Sequence, residues 1–234
     1  MSAAAGRPLV SVVVPTLDEA DAVERTLDHL ATQPGVDEVI VVDGGSADGT
    51  AERARRHPSA PVVLTTAAGR AGQMNAGAAA GRGELLVFLH ADTRLPPGGL
   101  AALRRVAAGG RHSGGNFSVR FDGPGLFPKA LGATYALQRT LGVFYGDSVI
   151  FVRARVFRDL GGFPAVRIME DYEMARALIG TGRCIRLAGP VVTSSRRWRR
   201  LGIARTVLSW VTIRWLYLAG VDPDRLVRLY RPAR

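Results

Sequence analysis

Cysteine is almost missing from this chain of 234 residues: Cys184 is the single one, so no disulfide framework holds the fold. A lone cysteine suits a reducing compartment and behaves as a small apolar side chain. Lysine is equally scarce, Lys129 being the one exception among 31 basic residues. With abundant Ala and Gly, this arginine excess reads as a codon bias, which weakens any argument from arginine number alone. No apolar run approaches the ~20 residues of a membrane-spanning helix. The longest, Val207–Leu218, is interrupted by Arg214 and preceded closely by Arg205. Met1 to Gly6 lacks the basic start and apolar core of a secretory signal. No G-x-G-x-x-G follows a strand-like run, which argues against a dinucleotide-dependent oxidoreductase. No Gly-rich basic loop follows the first apolar segment, where a nucleotidyltransferase would place one. No internal repeat stands out. These absences leave a cytoplasmic globular protein as the expectation, with peripheral contact on the cytoplasmic face of a membrane as its variant.

What is present is globular in character, with 47% hydrophobic and 22% charged residues. The net charge of +11 is unevenly spread. Residues 1–182 carry 19 basic and 18 acidic side chains, whereas residues 183–234 carry 12 basic and 2 acidic. The last fifth of the chain is therefore a separate basic patch suited to an anionic membrane, to nucleic acid or to water. Aromatic residues interleaved with its arginines fit lipid headgroups, so no nucleic acid is expected.

Valine-rich runs at Leu9–Val14, Val36–Val42, Pro61–Thr65 and Leu85–Leu89 read as strands buried on both faces of a parallel sheet. Helical patterns alternate with them: one begins after Asp18-Glu19, and others cover Ala51–Arg56 and Gly72–Ala80. Such alternation implies a right-handed βαβ stack. From Gly109 to Phe127 the chain turns Gly-rich, which reads as antiparallel or irregular structure. Val149–Val152 and Cys184–Leu187 read as further strands, and Ala154–Leu160 and Tyr172–Leu178 as helices. The tail stretch Val207–Leu218 is apolar on nearly every face; it either packs on the core or lies in a membrane interface with its arginines at the headgroups. Trp198, Trp210 and Trp215 beside arginines favour that boundary.

The most telling stretch is Ile40–Thr50, Ile-Val-Val-Asp-Gly-Gly-Ser-Ala-Asp-Gly-Thr. Its β-branched run ends on Asp43, which places a carboxylate at the carboxyl edge of a sheet, where open α/β folds bind ligands. A carboxylate there suits ribose hydroxyls or base N–H groups and repels bare phosphate. The plainer reading is a strand-to-helix turn with Ser46 or Asp48 as N-cap. Other acids repeat this placement: Asp18-Glu19 after the first strand, Asp92 after the fourth, and Glu170-Asp171 before a late helix.

This ordered set resembles the family 2 glycosyltransferases. The carrying motifs are Val-Val-Pro-Thr-Leu-Asp-Glu (13–19), Val-Asp-Gly-Gly-Ser-Ala-Asp-Gly-Thr (42–50), Gly-Arg-Ala-Gly-Gln-Met-Asn-Ala-Gly (69–77), Phe-Leu-His-Ala-Asp (88–92) and Glu-Asp (170–171). The resemblance implies a GT-A fold, a Rossmann-like α/β architecture with a mostly parallel sheet and helices on both faces. It spans residues 8–195, leaving 196–234 as a basic, apolar helical tail. It also implies a nucleotide-sugar site built from Pro15, Thr16, Glu19, Asp43, Gly44, Arg70, Asn75, Ala91, Gly146 and Asp147. Asn75 reads equally as a helix residue that caps a loop.

Asp92 matches the last aspartate of the family's Asp-x-Asp metal motif, which implies Mg²⁺ or Mn²⁺ clamping the diphosphate. His90 replaces the first aspartate, and is either a second ligand, a contact to sugar or phosphate, or a plain strand-end histidine. Asp171 matches the catalytic base of the inverting members, with Glu170 beside it; the plainer reading is an acidic first turn favourable to a helix dipole. The resemblance thus implies an inverting, metal-dependent transferase that moves one sugar from a nucleoside diphosphate, a UDP-sugar above all, to a lipid-linked or small-molecule acceptor. Only Arg197-Trp198 survives of the Gln-x-x-Arg-Trp signature of processive relatives, so chain polymerisation is not expected. The competing readings are a non-catalytic nucleotide-sugar-binding partner at a membrane, and a nucleotidyltransferase.

Overall fold

The computed structural model describes residues 10–230, so Leu9 of the first expected strand and residue 8 of the expected domain lie outside the described residues. Within them an eight-stranded sheet runs in the order β3-β2-β1-β4-β7-β6-β8-β5. Its first half holds β1 (Val10–Thr16), β2 (Glu38–Asp43), β3 (Val62–Thr65) and β4 (Leu85–Phe88), all paired in parallel. The helices α1 (Ala20–Ala31), α2 (Thr50–Arg56) and α3 (Arg70–Ala80) connect them. Each valine-rich run alternates its side chains between two faces. Val12 and Val14 join one core with Leu27, Leu30 and Leu103, while Val13 joins the other with Met74, Phe88 and Met174. Two covered faces explain why these strands read as continuous apolar runs.

The second half departs from simple alternation. Beyond β4, the strand β5 is Thr93–Arg94, and β6 (Gly114–Phe121) and β7 (Ile150–Arg153) pair antiparallel. β7 is also antiparallel to β4, whereas β8 (Cys184–Thr193) lies parallel to β6 with a bulge between Phe117 and Ser118. The Gly109–Phe127 stretch therefore holds one eight-residue strand, β6, antiparallel to β7, with irregular segments on either side of it. Two helices escape the sequence reading altogether, α4 (Gly99–Gly109) and α5 (Leu126–Thr140). Helix α4 does bury a stripe of Leu100, Leu103, Val106 and Ala107 that could have announced it, whereas α5 buries little beyond Pro128 and shows none. The expected helices at 154–160 and 172–178 are α6 (Ala154–Asp159) and α7 (Glu170–Gly180).

The tail forms α8 (Arg196–Leu201), α9 (Ile203–Leu218) and α10 (Pro223–Leu226). Ile213 and Leu226 pack with Met169 and Tyr172 in a third apolar cluster, so α9 does rest on the core. Its opposite face is bare: Leu208, Val211, Trp215 and Leu218 are exposed at helical spacing. No helix among the described residues is long and apolar enough to cross a membrane.

Candidate active site

The loops that follow β1 and β2 interlock at the carboxyl edge of the sheet. Asp43, 2% exposed, accepts hydrogen bonds at Oδ2 from the Gly45 and Ser46 amides at 3.0 and 2.9 Å, and at Oδ1 from the Ser46 and Thr16 hydroxyls. Its carboxylate therefore shapes its own turn, and its four acceptor directions are largely spent there. Gly45 and Gly49 hold φ of 87° and 84°, the left-handed region that this turn demands. Ser46 Oγ in turn accepts from the Asp18 amide, Asp18 Oδ1 accepts from the Ala47 amide, and Asp48 accepts from the Ala20 amide and from Thr50. Buried Gln73 on α3 ties the two strand ends together, donating through Nε2 to the carbonyls of Thr16 at 2.7 Å and Val42 at 2.8 Å. Gly44 lies against it: a Cβ added there would meet Gln73 Nε2 at 3.1 Å. Pro15 and Thr16 end β1 in register with Val42 and Asp43.

A second group of acids gathers around the end of β4. His90 Nδ1 lies 3.4 Å from Asp147 Oδ1, and Tyr135 donates its hydroxyl to Asp147 Oδ2 at 3.2 Å. Burial works against the Asp147 charge, yet the His90 contact and the positive Arg70 more than offset it and hold the carboxyl below its ordinary range. The Gly146 amide donates to Asp171 Oδ2 at 2.8 Å, and the Tyr172 amide caps Asp171 Oδ1. A Cβ on Gly146 would stand 2.9 Å from His90 Nε2 and 3.2 Å from Asp171 Oδ2, so only glycine lets those groups close on either side of it. Val149, fully buried and β-branched, follows with φ of 56°, a strained geometry held at the edge of this group.

Glu170, 4% exposed, faces Arg70 at 3.8 Å. Burial first, then the Asp171 charge, push the Glu170 carboxyl up to about 7, with Arg70 pulling the other way. Burial also raises Asp92, opposed by Arg196 and His90. The structure thus brings Glu19, Arg70, His90, Asp92, Asp147, Glu170 and Asp171 into one cleft, with Ala91 buried between His90 and Asp92. Asn75 is turned elsewhere: its amide nitrogen donates to the Phe163 carbonyl and its oxygen accepts from the Phe163 amide, both at 2.9 Å, so it pins the 162–164 loop.

Several residues of the site carry no motif. Arg196, the first residue of α8, forks onto Glu19 with Nη1 2.6 Å from Oε2 and Nη2 on Oε1, while its Nε lies 3.3 Å from Asp92 Oδ2. Trp198 anchors that helix edge-to-face against Phe121, Phe127 and Trp210. Arg214 of α9 donates to the Tyr145 hydroxyl and lies 4.9 Å over the Tyr172 ring, completing a wall beside Asp171. The boundary expected at 195/196 therefore runs through a packed and ion-paired junction. Only the basic and tryptophan-rich composition of the tail hinted at its part in the site.

The site offers an open donor set for a divalent cation. Among the described residues no three His, Cys, Asp or Glu side chains form a closed cage. Mg²⁺ needs none where a diphosphate supplies oxygens, because one or two carboxylates then complete the shell, and Mn²⁺ takes the same hard oxygen donors. Asp92, with His90 two residues away, is such an open donor, and the residues present fit the ion.

Residues 11–161 match the family model described as "Glycosyl transferase family 2". Among curated proteins, the succinoglycan biosynthesis protein ExoO of Rhizobium meliloti is 33% identical over 201 residues, covering 76% of this chain and 58% of that protein. The uncharacterized glycosyltransferase YaiP of Escherichia coli is 26% identical, covering 94% of this chain and 64% of that one. The chain thus spans about three fifths of the length of these relatives. Among solved structures, the mannosyltransferase PcManGT of Pyrobaculum calidifontis, in complex with GDP-Man and Mn²⁺, superposes with a TM-score of 0.67 at 24% identity, over 93% of this chain and 66% of that one. S. aureus TarS 1-349 in complex with UDP-GlcNAc gives 0.67 at 17% identity, over 81% and 59%. The Mycobacterium tuberculosis glucosyl-3-phosphoglycerate synthase, bound to Mn²⁺, UDP and glucosyl-3-phosphoglycerate, gives 0.58 at 21% identity, over 86% and 79%. The fold is GT-A.

Proposed function

This chain belongs to glycosyl transferase family 2, and on that premise we propose that it is an inverting enzyme moving a single sugar from a nucleoside diphosphate, UDP by preference, to an acceptor hydroxyl or acid carried on a lipid-like molecule. The observation that supports this most is the pairing of Asp171 and His90 across Gly146, on the same sheet edge as Asp92. In this reading Asp171 takes the proton from the acceptor hydroxyl while that oxygen attacks the anomeric carbon. The bond from that carbon to the diphosphate oxygen breaks on the opposite face, its electron pair leaves with the nucleoside diphosphate, and the configuration inverts. The Gly146 and Tyr172 amides, each donating to one carboxylate oxygen, fix the orientation of the Asp171 carboxylate.

Asp92, helped by His90, would hold Mg²⁺ or Mn²⁺, which when bound neutralises the charge that develops on the leaving diphosphate. Arg70 adds a fixed positive charge on the same side. Thr16, Glu19 and the loop that Asp43 organises form the nucleoside end. Because Asp43 spends its oxygens on Gly45, Ser46 and Thr16, its part there is to set the shape of the turn. Asp171→Asn is the direct test. Turnover should fall about 10³-fold while UDP-sugar affinity, measured by calorimetry, stays within a few-fold; retained turnover would remove Asp171 from this role.

The acceptor side faces the tail. The exposed stripe Leu208, Val211, Trp215 and Leu218, set in the basic last fifth of the chain, supports a seat on an anionic membrane surface on the cytoplasmic side. Such a seat would present the cleft to an acceptor dissolved in lipid.

A further inference from the structure

Arg196 closes the donor end of the cleft from outside the matched family region, and nothing in the motifs gives it a role. Its guanidinium uses both faces of its fork: the two Nη atoms grip the Glu19 carboxylate, and Nε faces Asp92 Oδ2 at 3.3 Å. Glu19 follows β1 and Asp92 follows β4, which are neighbours in the sheet, so one cation serves acids from two adjacent strand ends. The arginine is a third exposed, whereas Glu19 and Asp92 are 13% and 21% exposed. Water therefore reaches the arginine more readily than its partners, and the side chain has room to move outward.

A divalent cation would be held by a carboxylate oxygen of Asp92. The guanidinium beside that carboxylate carries the same sign of charge, and two neighbouring cations repel strongly where solvent is sparse. An incoming diphosphate offers the displaced arginine pairs of anionic oxygens that suit its planar fork. We propose that Arg196 is a resident counter-ion of Asp92 which the donor's metal displaces, and which then turns onto the donor diphosphate. This inference rests on the glycosyltransferase reading above and adds to it an exchange of partners: the same side chain opposes metal alone and favours nucleotide with metal. Arg196 is thus a donor-binding residue on a helix that has other anchors. Trp198 is buried among aromatic rings, and the Ser195 amide donates to Asp122 Oδ1 at 2.6 Å.

The test uses the full chain and Arg196→Ala, with Arg196→Lys as the conservative variant and circular dichroism as the check on folding. Free Mn²⁺ is followed by electron paramagnetic resonance without nucleotide, and UDP or GDP binding by calorimetry at saturating Mn²⁺. Arg196→Ala should bind Mn²⁺ alone about five- to tenfold more tightly, having lost one opposing charge in a partly exposed site. It should bind nucleoside diphosphate with Mn²⁺ more weakly by a similar factor, and Arg196→Lys should fall between it and the wild type in both. A merely structural arginine would weaken both together. If the wild type shows no Mn²⁺-promoted binding of UDP or GDP, the donor reading falls. If it does, affinities that fail to move in opposite directions overturn the Arg196 exchange alone.

Discussion

The parallel half of the sheet and the tail solve the same problem, holding charge at the cleft, in opposite ways. In the first half, acids are satisfied by groups close in sequence or on the next loop, as Asp43 is by Gly45 and Ser46 and Asp48 is by Thr50. In the tail, cations reach across the whole molecule: Arg196 meets Glu19 177 residues away, and Arg214 meets Tyr145 across 69. Local satisfaction makes a rigid floor whose geometry does not depend on ligand. Long-range ion pairs at a part-exposed junction are cheaper to rearrange, since such pairs contribute little net stability. The floor is thus built to hold shape and the tail to change partners.

That contrast can be broken at its anchors. Trp198→Ala should cost about 3–5 kcal/mol, the ordinary penalty for emptying a large aromatic site. If the tail and core unfold as one, the whole thermal transition should move down by that amount; an early, separate tail transition would show that the junction is weaker than its packing implies. Asp43→Ala should cost less, about 2 kcal/mol, by leaving the Gly45 and Ser46 amides without their acceptor. Its mark should be faster hydrogen exchange confined to residues 44–50, and uniform loosening would argue against a locally built floor.

The acid between the two regions sharpens the comparison. Burial and the Asp171 charge raise Glu170 from 4.5 to about 7. The folded chain therefore keeps a proton that the unfolded chain releases between those values, so this group's effect is to lower stability as pH climbs through the window. Glu170→Gln removes that dependence. Its melting temperature relative to wild type should rise steadily from pH 4.5 to 7, by an amount on the order of 1–3 kcal/mol in stability. A constant difference across the window would mean that Arg70 keeps Glu170 ionised throughout. The smallest effect on stability belongs to the outer face of α9. Replacing Leu208, Val211, Trp215 and Leu218 with serine should change stability by less than about 1 kcal/mol while abolishing co-sedimentation with anionic vesicles. Undiminished vesicle binding would place any membrane contact elsewhere.

The strands of the parallel half were legible because burial on two faces forces apolar residues at every position, and polar or glycine residues such as Asp18-Glu19, Gly44-Gly45 and His90-Ala91-Asp92 mark where runs end. The acids at those ends were legible for the same reason, as Asp43, Asp92 and Glu170-Asp171 stand beside recognisable boundaries. Helix α5 was not, because it packs against aromatic rings along one edge and leaves Leu126 and Leu137 exposed, so no stripe announces it. Asn75 had two readings, and only the position of Phe163, 88 residues further on, selects the loop-pinning one.

By itself the chain's order of residues determined a doubly covered parallel sheet with carboxylates at its carboxyl edge, since strand burial and turn chemistry act over a few residues. Tertiary structure alone decided that Gly146 would let His90 and Asp171 close together, that β8 would run parallel to β6, and that Arg196 would bridge Glu19 and Asp92. Those outcomes depend on which distant surfaces meet once the two cores form, and a contact between residues far apart leaves no period in the sequence to be read.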